Sequence, residues 1–337
     1  MAYLRSTTPV RYSSILRMDV LQESFQYGAS PLTSSSLSSP YNAYLFGSHI
    51  SKSLSPLLHG ILFRSSGASW NFHLVQTTEK DKFQNKLASL ETIGVSITMP
   101  NKVTFGRLLD DLTEAAQVIG AVNTSFIRLD PSGKRRYIGT NTDCVGIREA
   151  VVQYDPTAIS TANGRPAMVI GGGGAARSAI YALWKWFSPS EIYIANRLKS
   201  EVDDIVKHFT AAMPGIQLRY ISDVATAQSL PAPTIIVSTI PDYPPSEPGE
   251  VICWQICERI FEKAEKGLLV DMCYMPSPET RLVKAANKAE WKTIMGTEVL
   301  VRVCVAQQIL WTERLPKEQG VSEAVAAITQ PKNTANL

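Results

Sequence analysis

The stretch that most constrains this chain is Ala167–Arg177. The apolar run Met168-Val169-Ile170 meets four glycines, then the small residues Ala175 and Ala176, and Ser178–Leu183 continues in a helical apolar pattern. That order predicts a strand, a tight turn and a helix. Gly171, Gly173 and Ala176 fit the G-x-G-x-x-G/A spacing. One glycine permits the sharp turn, a second lets the backbone approach a pyrophosphate, and the small third residue lets helix and strand pack closely. Unpaired N–H groups at the helix start then face the phosphates. Gly171, Gly173, Gly174, Ala175 and Ala176 are therefore the candidate dinucleotide contacts. A second strand, Glu191–Ala195, follows about 20 residues later, as a dinucleotide fold requires, and ends in Asn196-Arg197. The alternative is a plain βαβ turn that happens to be rich in glycine.

The 337 residues suffice for two domains with full cores. Basic residues number 33 against 30 acidic ones, a balance that gives no reason to expect nucleic acid or a membrane surface as partner. No apolar run approaches the roughly 18 residues of a spanning helix. Cys144, Cys253, Cys257, Cys273 and Cys304 include no C-x-x-C pair. They read as reduced, mostly packed thiols of an intracellular, cytoplasmic protein, and no metal is expected.

Residues 1–40 read as a flexible extension. Met1–Arg17 carries three arginines, several Ser/Thr and no acid, a composition similar to a mitochondrial transit peptide, but Asp19 and Glu23 interrupt it. From there to Ile138, strands are expected at Ala43–Phe46, Trp70–Val75, Gly94–Met99, Ser125–Arg128 and Tyr137-Ile138. Helices are expected after Pro56, with Ser55 as N-cap, at Asp81–Leu90, and from Asn101-Lys102 through Gly106–Ala116. Gly146–Tyr154 reads as a linking helix and Asp155–Arg165 as a loop. Further strands follow at Leu218–Ile221, Thr234–Ser238, Leu268–Met272 and Trp291–Ile294, with a helix over Glu201–Ala211 and a long one over Gly296–Trp311. Alternating strands and helices predict an α/β fold of two domains. An α/β domain over 41–145 precedes a doubly wound Rossmann domain over 146–296, and the helix of 297–337 returns to the first.

None of His49, His59, His73 and His208 pairs with Ser or Cys in a nucleophile motif, and no H-E-x-x-H occurs. This argues against a hydrolase triad or a zinc enzyme. A dinucleotide enzyme needs a proton donor beside its hydride acceptor. Lys102 and Asp143 each follow a predicted strand, and an amine oriented by a carboxylate can pass a proton to or from a carbinol oxygen. The alternative is a surface lysine and a helix-capping Asp.

Several ordered motifs identify the chain as resembling the shikimate/quinate dehydrogenase family, in texture closest to its fungal members. Ser51–His59 matches the family's S-x-S-P-x-x-H loop and Gly94–Lys102 its G-x-x-[VI]-T-x-P-x-K strand. Gly120–Thr124 matches G-A-V-N-T, and Gly139–Gly146 matches G-x-N-T-D-x-x-G. Asn196-Arg197, Asp271-x-x-Tyr274-x-Pro276 and Gly296–Leu300 follow in family order. The resemblance implies that Ser53 and Ser55 bind the substrate carboxylate, and that Thr98, Asn123 and Asp143 hold ring hydroxyls. Lys102 would be the acid/base paired with Asp143, and Tyr274 would line the cleft. Thr239 and Gly296 would join Asn196, Arg197 and Lys199 on the cofactor. The implied reaction is reversible hydride transfer between shikimate or quinate and the 3-dehydro acid, by a monomer or homodimer.

Two departures stand out. Aligned from Gly296, the substrate-binding glutamine of the last helix is Val303 here, and Gln307 and Gln308 look poorly placed to replace it. An acid after Asn196-Arg197 would favour NAD, but Leu198 stands there, so Arg197 and Lys199 slightly favour NADP. Three functions stay open: an NAD(P)-dependent dehydrogenase of shikimate or quinate, a diverged paralogue acting on a related ring acid, and a non-enzymatic quinate sensor.

Overall fold

The computed structural model describes residues 20–329; the Arg-rich stretch Met1–Arg17 lies outside them. Chain order in the first half is β1 (Asn42–Gly47), α1 (Ser55–Ser65), β2 (Asn71–Gln76), α2 (Lys80–Ala88), β3 (Thr92–Ile97), β4 (Asp111–Leu112), α3 (Glu114–Ile119), β5 (Thr124–Leu129) and β6 (Arg135–Thr140). These strands form one sheet in the order β2-β1-β3-β5-β6-β4, parallel on the β2-β1-β3 side and antiparallel across β3-β5-β6.

Then α4 (Asp143–Tyr154) and α5 (Ala158–Ala162) lead to a second sheet. It is built from β7 (Ala167–Ile170), α6 (Gly174–Ala182), β8 (Ile192–Ala195), α7 (Lys199–Ala212), β9 (Leu218–Tyr220), α8 (Val224–Ser229), β10 (Ile235–Ser238), α9 (Pro248–Phe261), β11 (Leu268–Asp271), α10 (Arg281–Lys288) and β12 (Lys292–Ile294). All its neighbours are parallel, in the order β12-β11-β10-β7-β8-β9. This is the doubly wound Rossmann arrangement, with its switch point between β7 and β10. Central strands β7, β8, β10 and β11 are buried throughout, because helices cover both faces.

The chain returns through α11 (Gly296–Thr312), which packs on α4 and α1, and the last described element, α12 (Glu318–Thr329), lies against α1. A Cβ on Gly146 of α4 would stand 2.5 Å from Val303 Cγ2 and 3.1 Å from Val299 O, so the backbones of α4 and α11 nearly touch. Arg302 Nη2 donates to Gln153 Oε1 at 2.6 Å and ties the same two helices.

Four expectations are corrected. From residue 20 the lead-in is packed, not loose. Arg128, 1% exposed, lies over Phe25 and Phe126, donates to Ser24 Oγ, and pairs with Glu313 at 3.1 Å. Burial pulls that guanidinium down to about 10 and Glu313 partly restores it. Trp70 Nε1 donates to Ser36 O, and Ala29 bridges Leu129. The helix expected over Gly106–Ala116 is broken: 3-10 turn Gly106–Leu108 gives way to β4, because Asp110 N–H and Thr113 N–H bond to β6 carbonyls. Within Asp155–Arg165, α5 forms where the Asp155 carboxylate takes the Thr157 N–H and hydroxyl and buries Ala158 and Ala162. Helix α1 has Leu54, not Ser55, at its cap; Ser55 Oγ instead accepts from Ser53 Oγ at 3.1 Å.

Candidate active site

A cleft of about 780 Å³ runs between the carboxyl edges of the two sheets. The first sheet supplies its polar floor. Strand β3 ends at Ile97, Thr98 follows, and the Met99–Pro100 peptide is cis. Gly47 makes room for Thr98, since a Cβ there would meet Thr98 Cγ2 at 2.4 Å. Asn101 Nδ2 donates to Thr77 O at 2.8 Å, and Val122 N–H to Lys102 O at 2.9 Å. These bonds fix the backbone that carries Lys102.

Lys102 Nζ donates to Asp143 Oδ2 at 2.5 Å, with the two side chains 15% and 10% exposed. Asp143 is the first residue of α4, where the positive helix end favours a carboxylate. Its Oδ1 accepts from Asn123 Nδ2 at 2.7 Å. Asn123 Oδ1 in turn accepts from Thr124 Oγ1 at 2.8 Å and from Thr142 N–H at 2.7 Å. Gln307 Nε2 donates to Thr124 Oγ1 at 2.9 Å, and Gln307 Oε1 meets His59 Nε2 at 3.0 Å. One hydrogen-bonded chain thus runs from the lysine to a fully buried imidazole.

Gln307 is a residue the sequence undervalued: it lines the cleft, whereas Gln308 turns away to Ser66 Oγ and Leu62 O. Val303, 7% exposed, lines the cleft one turn earlier.

The His59 ring stacks on Phe72 at 4.3 Å. Burial holds its imidazole at about 3, against a smaller upward pull from Gln307. The folded chain therefore leaves this ring neutral where the unfolded chain takes a proton below about 6.5. Its contribution to stability is complete above that pH and is lost as pH falls, by about 1.4 kcal/mol per unit. The stability difference between wild type and His59→Gln, from urea unfolding, should change by that slope between about pH 6 and pH 5. The packing cost of the substitution is the same at both pH values and drops out, so a flat difference would contradict the burial argument.

The rim is built by both sheets. Ser53 lines it from the loop before α1, Ser55 from the first position of α1, and Tyr274 from the loop after β11. Burial raises the Tyr274 phenol, and the nearby Ser53 hydroxyl partly offsets this. Asp271 anchors that loop: burial pushes it up to about 6 against bonds from Thr280 and from the Cys273 N–H. Thr280 Oγ1 donates to it at 2.6 Å.

The glycine turn borders the cleft. Gly171 has φ +122°, open to glycine, and a Cβ there would strike Thr239 Oγ1 at 2.3 Å. Gly173 caps α6 with no side chain on the first N–H groups, and a Cβ on it would meet nothing within 4 Å. A Cβ on Gly174 would lie 3.5 Å from Lys102 Cδ, so the open start of α6 adjoins the lysine. Ala176 is buried at the helix–sheet contact, while Ala175, Thr239 and Gly296 line the cleft itself. Asn196, Arg197 and Lys199 stand apart from the cleft, at the end of β8. There Arg197 Nη1 is held by Glu250 Oε1 at 2.7 Å, and Lys199 Nζ by both oxygens of Asp203 at 2.7 Å. The two cations assigned to a 2′-phosphate are therefore already engaged by acids.

Residues 45–125 match the shikimate dehydrogenase substrate binding domain. The chain is 39% identical to a quinate dehydrogenase of Emericella nidulans over 303 residues, which is 85% of this chain and 92% of that one. It superposes on the dehydroquinate dehydratase and shikimate dehydrogenase from S. pombe with TM-score 0.70 and 29% identity, covering 86% of this chain and 53% of that longer one. It also superposes on a shikimate 5-dehydrogenase from Thermus thermophilus, in complex with NADP(H) and shikimate, with TM-score 0.67 and 26% identity, covering 86% of this chain and 99% of that one. By this identity and this shared fold, the chain belongs to the shikimate/quinate dehydrogenase family of oxidoreductases acting on CH–OH groups.

Proposed function

We propose that the protein is an NAD(P)-dependent dehydrogenase that interconverts quinate or shikimate and the 3-dehydro acid. The observation that carries the reading is the Lys102–Asp143 pair set against the open start of α6. The similar proteins support it: one relative is a quinate dehydrogenase, and one structural neighbour holds NADP(H) and shikimate. In this reading residues 41–145 bind the substrate, 146–296 the dinucleotide, and 297–337 close back over the first unit.

The chain's residues fit a dinucleotide: a bare glycine turn, unpaired N–H groups at α6, and Thr239 behind Gly171. When bound, the nicotinamide supplies the hydride acceptor or donor. Lys102 Nζ gives a proton to the oxygen when the carbonyl is reduced, and takes it back when the carbinol is oxidised. Asp143 orients the ammonium and accepts from a ring hydroxyl. Ser53 and Ser55 bind the carboxylate, with Tyr274 beside them, while Thr98 and Asn123 hold further hydroxyls. Each hydroxyl that enters the cleft needs such a partner once water is displaced.

Val303 favours a second reading, in which the ring acid lacks one hydroxyl that a glutamine would bind. Absorbance at 340 nm decides between them when quinate and shikimate are each offered with NAD⁺ and NADP⁺. Turnover of either acid is expected. No turnover in any pair, from protein that binds a dinucleotide by calorimetry, would move the assignment to a different ring acid or to a sensor.

A further inference from the structure

The end of β8 carries a carboxylate that the sequence order hides. A Cβ on Gly172 would meet Glu201 Oε2 and Asn196 Nδ2 at 2.5 Å each, and Glu201 Cβ at 2.9 Å. Glu201, in the first turn of α7, is thus folded back against the glycine turn. Asn196 Nδ2 donates to Glu201 Oε2 at 2.7 Å and to Leu198 O at 3.0 Å, which pins the carboxylate at the carboxyl end of the strand. In a doubly wound sheet, the space between the glycine turn and the end of the second strand receives the adenosine ribose.

The surrounding charges point the same way. Glu250 holds Arg197 and is itself tied down at the start of α9. The N–H groups of Ser246 and Glu247, then Arg197, hold its carboxyl at about 2. Lys199 lies along α7 with Asp203. A 2′-phosphate here would compete with Glu250 and Asp203 for these two cations and sit against Glu201.

We propose that Glu201 selects the dinucleotide: its carboxylate accepts a hydrogen bond from a ribose 2′-hydroxyl and repels a 2′-phosphate, so that the chain prefers NAD⁺ to NADP⁺. This rests on the dinucleotide-binding reading and reverses the preference expected from Arg197 and Lys199. The neutral Leu198, directly after Asn196-Arg197, is replaced in this role by an acid three positions on, brought back by the helical turn.

Calorimetric titration of the full chain with NAD⁺ and with NADP⁺ tests it without relying on turnover. Wild type should bind NAD⁺ about ten-fold or more tightly than NADP⁺, the scale of one hydrogen bond to a charged group. Glu201→Gln keeps the size and the Asn196 contact, and should shrink that ratio about ten-fold. Glu201→Arg should invert it. A wild type that binds NADP⁺ as well as NAD⁺, or a ratio unchanged in Glu201→Gln, overturns the assignment while leaving the dehydrogenase reading intact. Binding of neither dinucleotide by folded wild type overturns both.

Discussion

Replacing Lys102 by alanine should lower kcat by about 10²- to 10⁴-fold, the range expected when a positioned acid/base is removed. The ammonium is the cleft group placed both on Asp143 and beside the start of α6. Without it, the oxygen of the reacting carbinol has no proton partner at that point, and water is a weaker and less oriented substitute. The fold should survive. Asp143 keeps its bond from Asn123 and its place at the positive end of α4, so the remaining carboxylate is not stranded. Dinucleotide affinity, read by calorimetry, should stay near wild type, and the loss should appear in kcat more than in KM. Unchanged kcat in a folded Lys102→Ala protein would remove the lysine from the chemistry.

Trp311→Ala should cost about 3–5 kcal/mol of stability, the range for emptying a large aromatic site. The indole is 2% exposed and lies against β3 at Gly94, where even a Cβ would collide with Nε1 at 2.1 Å. It packs near His59, Phe63 and Phe72, and its Nε1 donates to Ser125 O at 3.0 Å. Truncation opens a void between α11 and the first sheet that glycine on the facing strand cannot fill. Because α11 also carries Val303 and Gln307 into the cleft, activity near the unfolding midpoint should fall with stability. Urea midpoints of the two proteins check this, and a loss under about 1 kcal/mol would mean the site collapses around the gap.

Much of this was legible in the chain itself because local patterns and long-range packing agree there. The glycine turn, the strands on either side of it and the motif loops each demand one backbone path, and the two sheets follow. The misreadings lie where a distant partner decides. Leu109–Leu112 has helical apolar spacing, but β6 offers its edge to Asp110 and Thr113. The Ser-rich lead-in looks loose in composition, yet Arg128 on β5 needs Ser24 and Phe25 over it.

In the site, Lys102 and Asp143 are singled out by their places at element ends and Asn123 by the family motif, and the structure brings the three side chains together. Gln307 was discounted by counting from Gly296, although its two buried partners, His59 and Thr124, orient it. Glu201 was missed because only the position next to Asn196-Arg197 was considered; an acid in the first turn of the following helix was the available signal.

The near-contact of α4 and α11 sets how the cleft can open. These two helices carry the covalent connections between the sheets, and at Gly146 and Val303 they are too close to slide past one another. The two halves are left one cheap movement, a swing about the paired helices, as a book turns on its spine. Asp143, at the head of α4, and Val303, midway along α11, lie on that spine. Ser53 and Tyr274 line the fore-edge, one from each half. Such a swing would widen the mouth at Ser53 and Tyr274 most, while Asp143 and Val303, near the axis, would move least. Opening is thereby confined to the rim, and the groups beside the paired helices keep their spacing.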